Sequence, residues 1–291
     1  MFKYNYYRVK NLQDLSKQLI HYGSKAQIIA GGTDLMVQIY EKHKHWKDLE
    51  CILDISSLRD EMRYIKENDD TICIGALSTH TDIEKSEIIN KYLPALAYAC
   101  ETVGSPQIRN LGTVGGSICN ASPASDPLTP MIVAGTTVII QGEAGVRKVD
   151  LPAFYFGKSK IDLNAGEFVK EFIVSKLPEE MRTKFVKLGR RKALAISRLN
   201  VTAGLTIDTD GKIKEARLSP GCIFIKPDRV TRAEELLIGQ TPSKKLFHKS
   251  GEIVSEVMIE RTGIRWSTEY KKPAVEGIVE EALLRAAGME V

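Results

Sequence analysis

Cysteine is scarce and scattered in this chain: Cys51, Cys73, Cys100, Cys119 and Cys222 include no pair at Cys-x-x-Cys spacing. That spacing excludes a zinc ribbon and a clustered iron–sulfur ligand set. An odd, dispersed set also fits a reducing compartment better than a disulfide framework. Long apolar runs are missing. The longest apolar-leaning stretch, Pro130 to Ile140, is far short of the roughly 20 residues of a membrane helix. The opening MFKYNYYRVKNLQDL has no apolar segment resembling a secretory signal. Neither sign of charge dominates: 41 Lys and Arg are interspersed with 37 Asp and Glu, a net charge of +4. That balance argues against nucleic acid as a partner. Walker A, G-x-G-x-x-G, G-x-S-x-G and H-E-x-x-H patterns are all absent. The expectation is a soluble cytoplasmic protein with no nucleophile–base pair and no membrane contact.

What the chain does have is placed glycine. With 291 residues and 43% hydrophobic content it can build two or three cores. From Gly104 to Asp126 it reads GSPQIRNLGTVGGSICNASPASD. Gly104, Gly112, Gly115 and Gly116 permit positive φ and close approach of a ligand to the main chain. Successive N–H groups in such a turn form a concave nest for an anion. Thr113 and Ser117 flank the Gly115-Gly116 pair with hydroxyls, and Asp126 adds a carboxylate. This mixture suits a diphosphate carrying a polyol. Upstream, the apolar Gln27–Ala30 strand runs into Gly31-Gly32-Thr33-Asp34, and Leu35–Ile39 reads as a helix. Strand, glycine turn and helix together aim unpaired amides at a phosphate. An ordinary tight turn would use the same glycines.

Read in order, Asn11 caps a helix from Leu12, and Gly23 ends it. Cys51–Ile55 and Thr71–Gly75 are strands, and 58–63 marks a boundary between two lobes. His43 and His45 have ligand-like spacing in a lysine-rich loop, read as a solvated loop. Thr79 caps a short helix, which places His80 at a helix start or on the surface. Leu93–Thr102 and Met131–Ala134 are helical; Thr137–Ile140 and Glu167–Leu177 are strands. Pro178-Glu179-Glu180 is a linker. Beyond it, Thr183–Leu188, Val201–Asp208 and Lys214–Pro220 are strands, the latter two joined by the turn Thr209-Asp210-Gly211. Helices follow around 229–238, 243–258 and 273–287. Strands followed by helices predict an α+β C-terminal domain.

Three segments carry a family resemblance: Ala30-Gly31-Gly32-Thr33-Asp34, Arg109–Ser117 with Ser122–Pro127, and Lys187–Arg191 followed by Ile196-Ser197-Arg198. In order and spacing they resemble the FAD-binding medium subunit of molybdenum hydroxylases. That group includes xanthine, nicotinate and carbon monoxide dehydrogenases. The resemblance covers nearly the whole chain. It implies an α+β fold in which a two-lobed FAD-binding domain of the PCMH/vanillyl-alcohol-oxidase type is followed by a smaller domain of antiparallel sheet and helices. The implied domains are 1–177, with lobes about 1–57 and 58–177, and 181–288.

The resemblance also implies a flavin site. Ile28, Ile29, Ala30, Gly31, Gly32, Thr33, Asp34 and Leu35, with Thr113, Val114, Gly115, Gly116 and Ser117, match the positions that cradle the FAD diphosphate. Asp126 matches a carboxylate that binds FAD through hydroxyls, and Val103 and Val169 fall near cofactor contacts. Lys187 matches a lysine close to the flavin ring, where a cation favours the reduced cofactor; its loss should lower the reduction potential while FAD is retained. Ile196 matches a residue that covers one ring face. No catalytic residue and no metal site are implied in this chain. Molybdopterin and [2Fe-2S] clusters are expected on partner subunits, a large and a small one in a heterotrimer. Electrons would pass through FAD to NAD⁺ or another acceptor. Xanthine is the first substrate implied, and nicotinate-type rings the next. A self-sufficient FAD-dependent oxidase or reductase is the alternative; it would need an acid or base over the flavin. A nucleotide-binding module without redox work is a third possibility.

Overall fold

The computed structural model describes residues 4–41, 46–157 and 160–291; His43 and His45 lie outside them. The chain forms two units. One comprises Met1–Ile83, Ser105–Ala121 and Thr136–Val174; the other comprises Glu84–Gly104, Ser122–Gly135 and Ser175–Val291.

The first unit opens with a parallel sheet in which Cys51–Asp54 lies between Asn5–Arg8 and Ala26–Ile29. All four residues of Cys51–Asp54 are buried, as expected of a central parallel strand covered on both faces. Helix Leu12–Tyr22 starts where the sequence predicts. The Asn11 side chain accepts the Asp14 N–H at 2.9 Å, and Gly23, at φ 55°, closes the helix. A second sheet orders Ile65–Glu67, Thr71–Gly75, Phe168–Ser175, Thr136–Gly142 and Gly145–Asp150. Helix His80–Lys85 begins with a reciprocal cap. Thr79 N–H donates to Asp82 Oδ2 at 2.8 Å, and Asp82 N–H to Thr79 Oγ1 at 3.1 Å. His80 therefore stands at a helix start, as one of its two readings has it. It is buried, at 4% exposure, and so not on the surface.

The second unit is built on the antiparallel sheet Arg182–Leu188, Leu199–Ile207 and Ile213–Gly221. Its central strand alternates strictly. Leu199, Val201, Ala203 and Leu205 face a core shared with Leu237, Phe247, Val254, Val279 and Leu283. These come from helices Thr231–Leu237, Lys244–Thr262 and Thr268–Ala287. The opposite face carries Asn200 and Thr202, also fully buried. Helices Pro94–Glu101 and Leu128–Ala134 cover it: Phe185 packs on Ala95 and Ala99, and Thr129 bonds both strand polar groups. This second cover explains why segments from the middle of the chain belong to the C-terminal unit. The last helix begins at Thr268, five residues before the predicted start at Pro273. Pro273 lies inside this helix, at its sixth residue, where it gives up its own backbone bond and crowds the carbonyl of Glu269.

Candidate functional site

Two glycine segments meet in the first unit. A Cβ on Gly31 would stand 1.9 Å from the Leu111 carbonyl oxygen, so only glycine lets the two main chains touch. Gly32 follows at φ 69°, a conformation that glycine adopts without strain. Thr33 continues the contact, its Oγ1 3.4 Å from where a Gly112 Cβ would lie. The two segments named in the sequence are thus brought together. Among the described residues, the N–H groups of Gly31, Gly32, Thr33, Asp34 and Leu35 make no hydrogen bond. They form a run of open donors leading into helix Leu35–Tyr40.

The downstream segment is built differently from the nest expected of it. Thr113 caps helix Val114–Cys119, so Gly115 and Gly116 lie in a helical first turn. Its amides are already engaged. Val114 N–H donates to Ser78 O and Gly115 N–H to Ala76 O, both at 2.9 Å. Gly116 N–H donates to Thr113 Oγ1 at 3.0 Å, and Ser117 N–H to Thr113 O at 2.9 Å. The main-chain amides without a hydrogen bond therefore lie at 31–35 and not at 114–117. The two glycines also differ. Gly115 is buried, and its Cβ would fall 2.6 Å from Ala76 O. Gly116 is exposed, and its Cβ would meet only Thr113 Oγ1. Packing demands the first; only the second leaves a bare surface to an incoming group. His80 lies behind Gly112, with Nδ1 unpartnered among the described residues. Burial, then the nearby Arg109 charge, lowers its pKa to about 4, so the ring is neutral at physiological pH.

In the second unit the sheet register places Lys187 opposite Asn200, and Asn200 opposite Gly221. A Cβ at Gly221 would lie 2.1 Å from Asn200 Oδ1; the absent side chain makes room for the amide. Lys187 Nζ donates to Asp126 Oδ2 at 2.5 Å and to the Thr102 carbonyl at 3.0 Å. Asp126 Oδ1 accepts from Ser197 Oγ at 2.6 Å and from Asn200 Nδ2 at 3.4 Å. Thr129 Oγ1 donates to Asn200 Oδ1 at 3.2 Å and shares a 2.9 Å bond with Thr202. The Asn200 amide is thereby oriented from both ends. Burial raises the Asp126 pKa, against the opposing pull of Lys187, Ser197 and Asn200. Two residues assigned separately to the cofactor are thus ion-paired with each other.

The remaining assigned positions are dispersed. Ile29 and Leu35 pack against the cluster Ile39, Leu49 and Ile52, so their main chain, not their side chains, adjoins the open turn. Ile28 and Ala30 are half-buried. Val169 is buried in its strand opposite Ile140, at a bulge. Val103 is half-buried at the end of helix Pro94–Glu101. Ile196 is 81% exposed on the connection between the first two strands of the second unit's sheet. The sequence reading missed Asn200, Thr129 and Ser197 as supports of Asp126. An asparagine inside the apolar run LNVTAGLTI is the signal that marks one of them. Among the described residues, no group of His, Cys, Asp and Glu could hold a metal ion, and no helix is long and apolar enough to cross a membrane.

With this geometry in view, comparison with known proteins is specific. The family described as the FAD binding domain in molybdopterin dehydrogenase matches residues 2–177. The CO dehydrogenase flavoprotein C-terminal domain matches residues 184–286. The nicotinate dehydrogenase FAD-subunit of Eubacterium barkeri is 34% identical, over 97% of this chain and 95% of that one. The xanthine dehydrogenase FAD-binding subunit of Escherichia coli O157:H7 is 28% identical, over 98% of this chain and 97% of that one. A solved carbon monoxide dehydrogenase from Hydrogenophaga pseudoflava has the same fold, with TM-score 0.89 and 24% identity over 98% of this chain and 97% of that one. The α+β architecture is accordingly the two-domain flavoprotein fold, and the chain belongs to the FAD-binding medium subunits of the molybdenum hydroxylase family, alongside those of nicotinate, xanthine and CO dehydrogenases.

Proposed function

We propose that this chain is the electron-transferring FAD subunit of a molybdenum hydroxylase acting on a nitrogen heteroaromatic ring. The observation that carries this reading is the turn at 31–35, with its adjacent open amides in a domain whose family binds FAD. The residues fit the cofactor's diphosphate. Charge-assisted bonds from such amides contribute roughly 1.5–3 kcal/mol each, and Gly116 leaves a surface without a side chain.

FAD, when bound, supplies one- and two-electron redox chemistry. The chain's own residues bind and orient. Gly31–Leu35 would hold the diphosphate through their open amides, and Thr113 fixes the helix that presents Gly116. Asp126, oriented by Lys187, Ser197 and Asn200, has about one acceptor position left for a hydroxyl. Ile196 offers an apolar cover that excludes water and brings no acid or base. An apolar side chain over the ring suits relay of electrons better than attack on a substrate.

Electrons would arrive from iron–sulfur clusters on a small partner subunit, downstream of hydroxylation at molybdopterin on a large one. They would leave to NAD⁺ or another acceptor, in the cytoplasm. The 34% identity to the relative named for nicotinate, against 28% for the one named for xanthine, supports a nicotinate-type ring ahead of a purine. We take the FAD-binding domain as 1–177 and the C-terminal domain as 181–288.

Gly116→Ala tests the binding arrangement. Alanine favours a helix by up to about 1 kcal/mol over glycine, which offsets the tight 3.0 Å approach of its Cβ to Thr113 Oγ1, so the variant should stay folded. Its added methyl should cut bound flavin to below about half by absorbance; the estimate rests on loss of close approach. Full flavin content in a well-folded variant would reject this placement.

A further inference from the structure

Large apolar side chains stand almost wholly in water where loops of the second unit come together. The connection between helices Lys244–Thr262 and Thr268–Ala287 exposes Ile264 at 84% and Trp266 at 96%, on either side of Arg265. Tyr270, 48% exposed, follows in the first turn of the next helix. The Arg198 guanidinium lies 5.7 Å from its ring centroid, which joins the loop at 189–198 to this surface. The connection is held in place. Arg265 N–H donates to Thr268 Oγ1 at 2.8 Å, and its Nε donates to the Thr262 carbonyl at 3.0 Å. Lys271 Nζ donates to the Cys222 carbonyl at 2.6 Å, tying in a third segment.

The same segments carry an excess of cations, with Glu269 the one carboxylate among residues 189–198 and 262–272. Among the described residues, Arg190, Arg191, Arg198, Arg265 and Lys272 form no salt bridge with a carboxylate. The guanidinium of Arg191 turns instead to the carbonyls of Ala193 and Leu194. Single exposed hydrophobic residues are ordinary. A tryptophan, a tyrosine and an isoleucine grouped with unpaired arginines have the composition of a protein interface and its binding hot spots. Guanidinium forks recognise carboxylates in bidentate fashion.

We infer that this face docks a partner polypeptide whose own surface is acidic around an apolar depression, with Trp266 as the inserted anchor and Arg198 and Arg265 as the paired charges. Short loops carry the apolar groups here, whereas a lipid-binding surface is ordinarily an amphipathic helix lying in the interface; a protein partner is favoured on that ground. The inference rests on the functional reading above, in which the chain works inside a multisubunit hydroxylase.

The test uses the full chain co-expressed with its iron–sulfur and molybdopterin companions and isolated through a tag on one of them. Trp266→Ala and Arg265→Glu should each weaken retention of the flavin chain by about tenfold or more, measured by native mass spectrometry across a dilution series. Added salt should reproduce part of the arginine effect, while flavin content and melting temperature stay at wild-type values. A complex that assembles normally with the double variant overturns the docking face alone. Binding to phosphatidylserine vesicles that requires Trp266, with the complex unaffected, overturns it in favour of a membrane. If no companion chain is retained by the wild type, the functional reading fails and the docking face with it.

Discussion

Lys187 and Asp126 form the most consequential pair in the second unit, with side chains only 12% and 6% exposed. Removing one partner of a buried pair costs about 3–5 kcal/mol when the other stays charged. Asp126 has an escape, because burial already raises its pKa. Without Lys187 that pKa rises further, and the carboxyl takes up a proton. A carboxyl whose folded pKa lies above its unfolded value is destabilising where both would be ionised, and the cost disappears as pH falls through the folded pKa. Lys187→Met should therefore be destabilised by about 3 kcal/mol near neutral pH and should recover as pH falls through the raised Asp126 pKa. Adding Asp126→Asn should remove that recovery. Urea midpoints measured across the range decide it: a single variant with no pH dependence would mean that the ammonium never paid for the buried carboxylate. The pairing also tempers the redox expectation for Lys187. A proton arriving at Asp126 replaces part of the lost positive charge.

At the scale of elements, Gly115 and Gly116 show how much of the site was legible. Their sequence, Thr-Val-Gly-Gly-Ser, reads equally well as a turn or as a capped helix, because both use a hydroxyl residue followed by small ones. What decides is a tertiary contact: Ala76 lies too close to Gly115 for any side chain. Gly115→Ala should lose about 1–3 kcal/mol through overpacking, read as a lowered urea midpoint, whereas Gly116→Ala should not. Equal stability in the two variants would show that the Ala76 contact yields freely. Strands and capped helices were readable because local chemistry sets them: Asn11, Gly23 and the Thr209-Asp210-Gly211 turn act within a few residues. The meeting of Gly31 with Leu111 and the bond from Asn200 to Asp126 join residues 80 and 74 positions apart (111 − 31 and 200 − 126), and no periodicity records them. The sheet face that receives Asn200 and Thr202 was invisible for the same reason. Part of its cover comes from a helix about 70 residues earlier in the chain, as the Thr129 bonds to both residues show.

For the molecule as a whole, the distribution of thiols bears on which redox centres it can carry. A cysteine ligates iron as its thiolate and not as its thiol. Burial is the leading influence on all five cysteines and raises each pKa, that of Cys119 and of Cys222 to about 12. Every thiol is free of disulfide bonding. Such groups are protonated at physiological pH and are poor ligands and slow nucleophiles. A chain with open amides for a diphosphate and no available thiolate should hold one organic redox group and leave inorganic clusters to its partners. Separated from its companions under mild conditions, it should contain about one flavin per chain, in keeping with one open donor turn, and only trace iron. Visible absorbance together with elemental analysis measures both. Stoichiometric iron in the isolated, flavin-loaded chain would mean that at least some of these thiols are driven to thiolates by metal binding, against the energetic cost that their burial imposes.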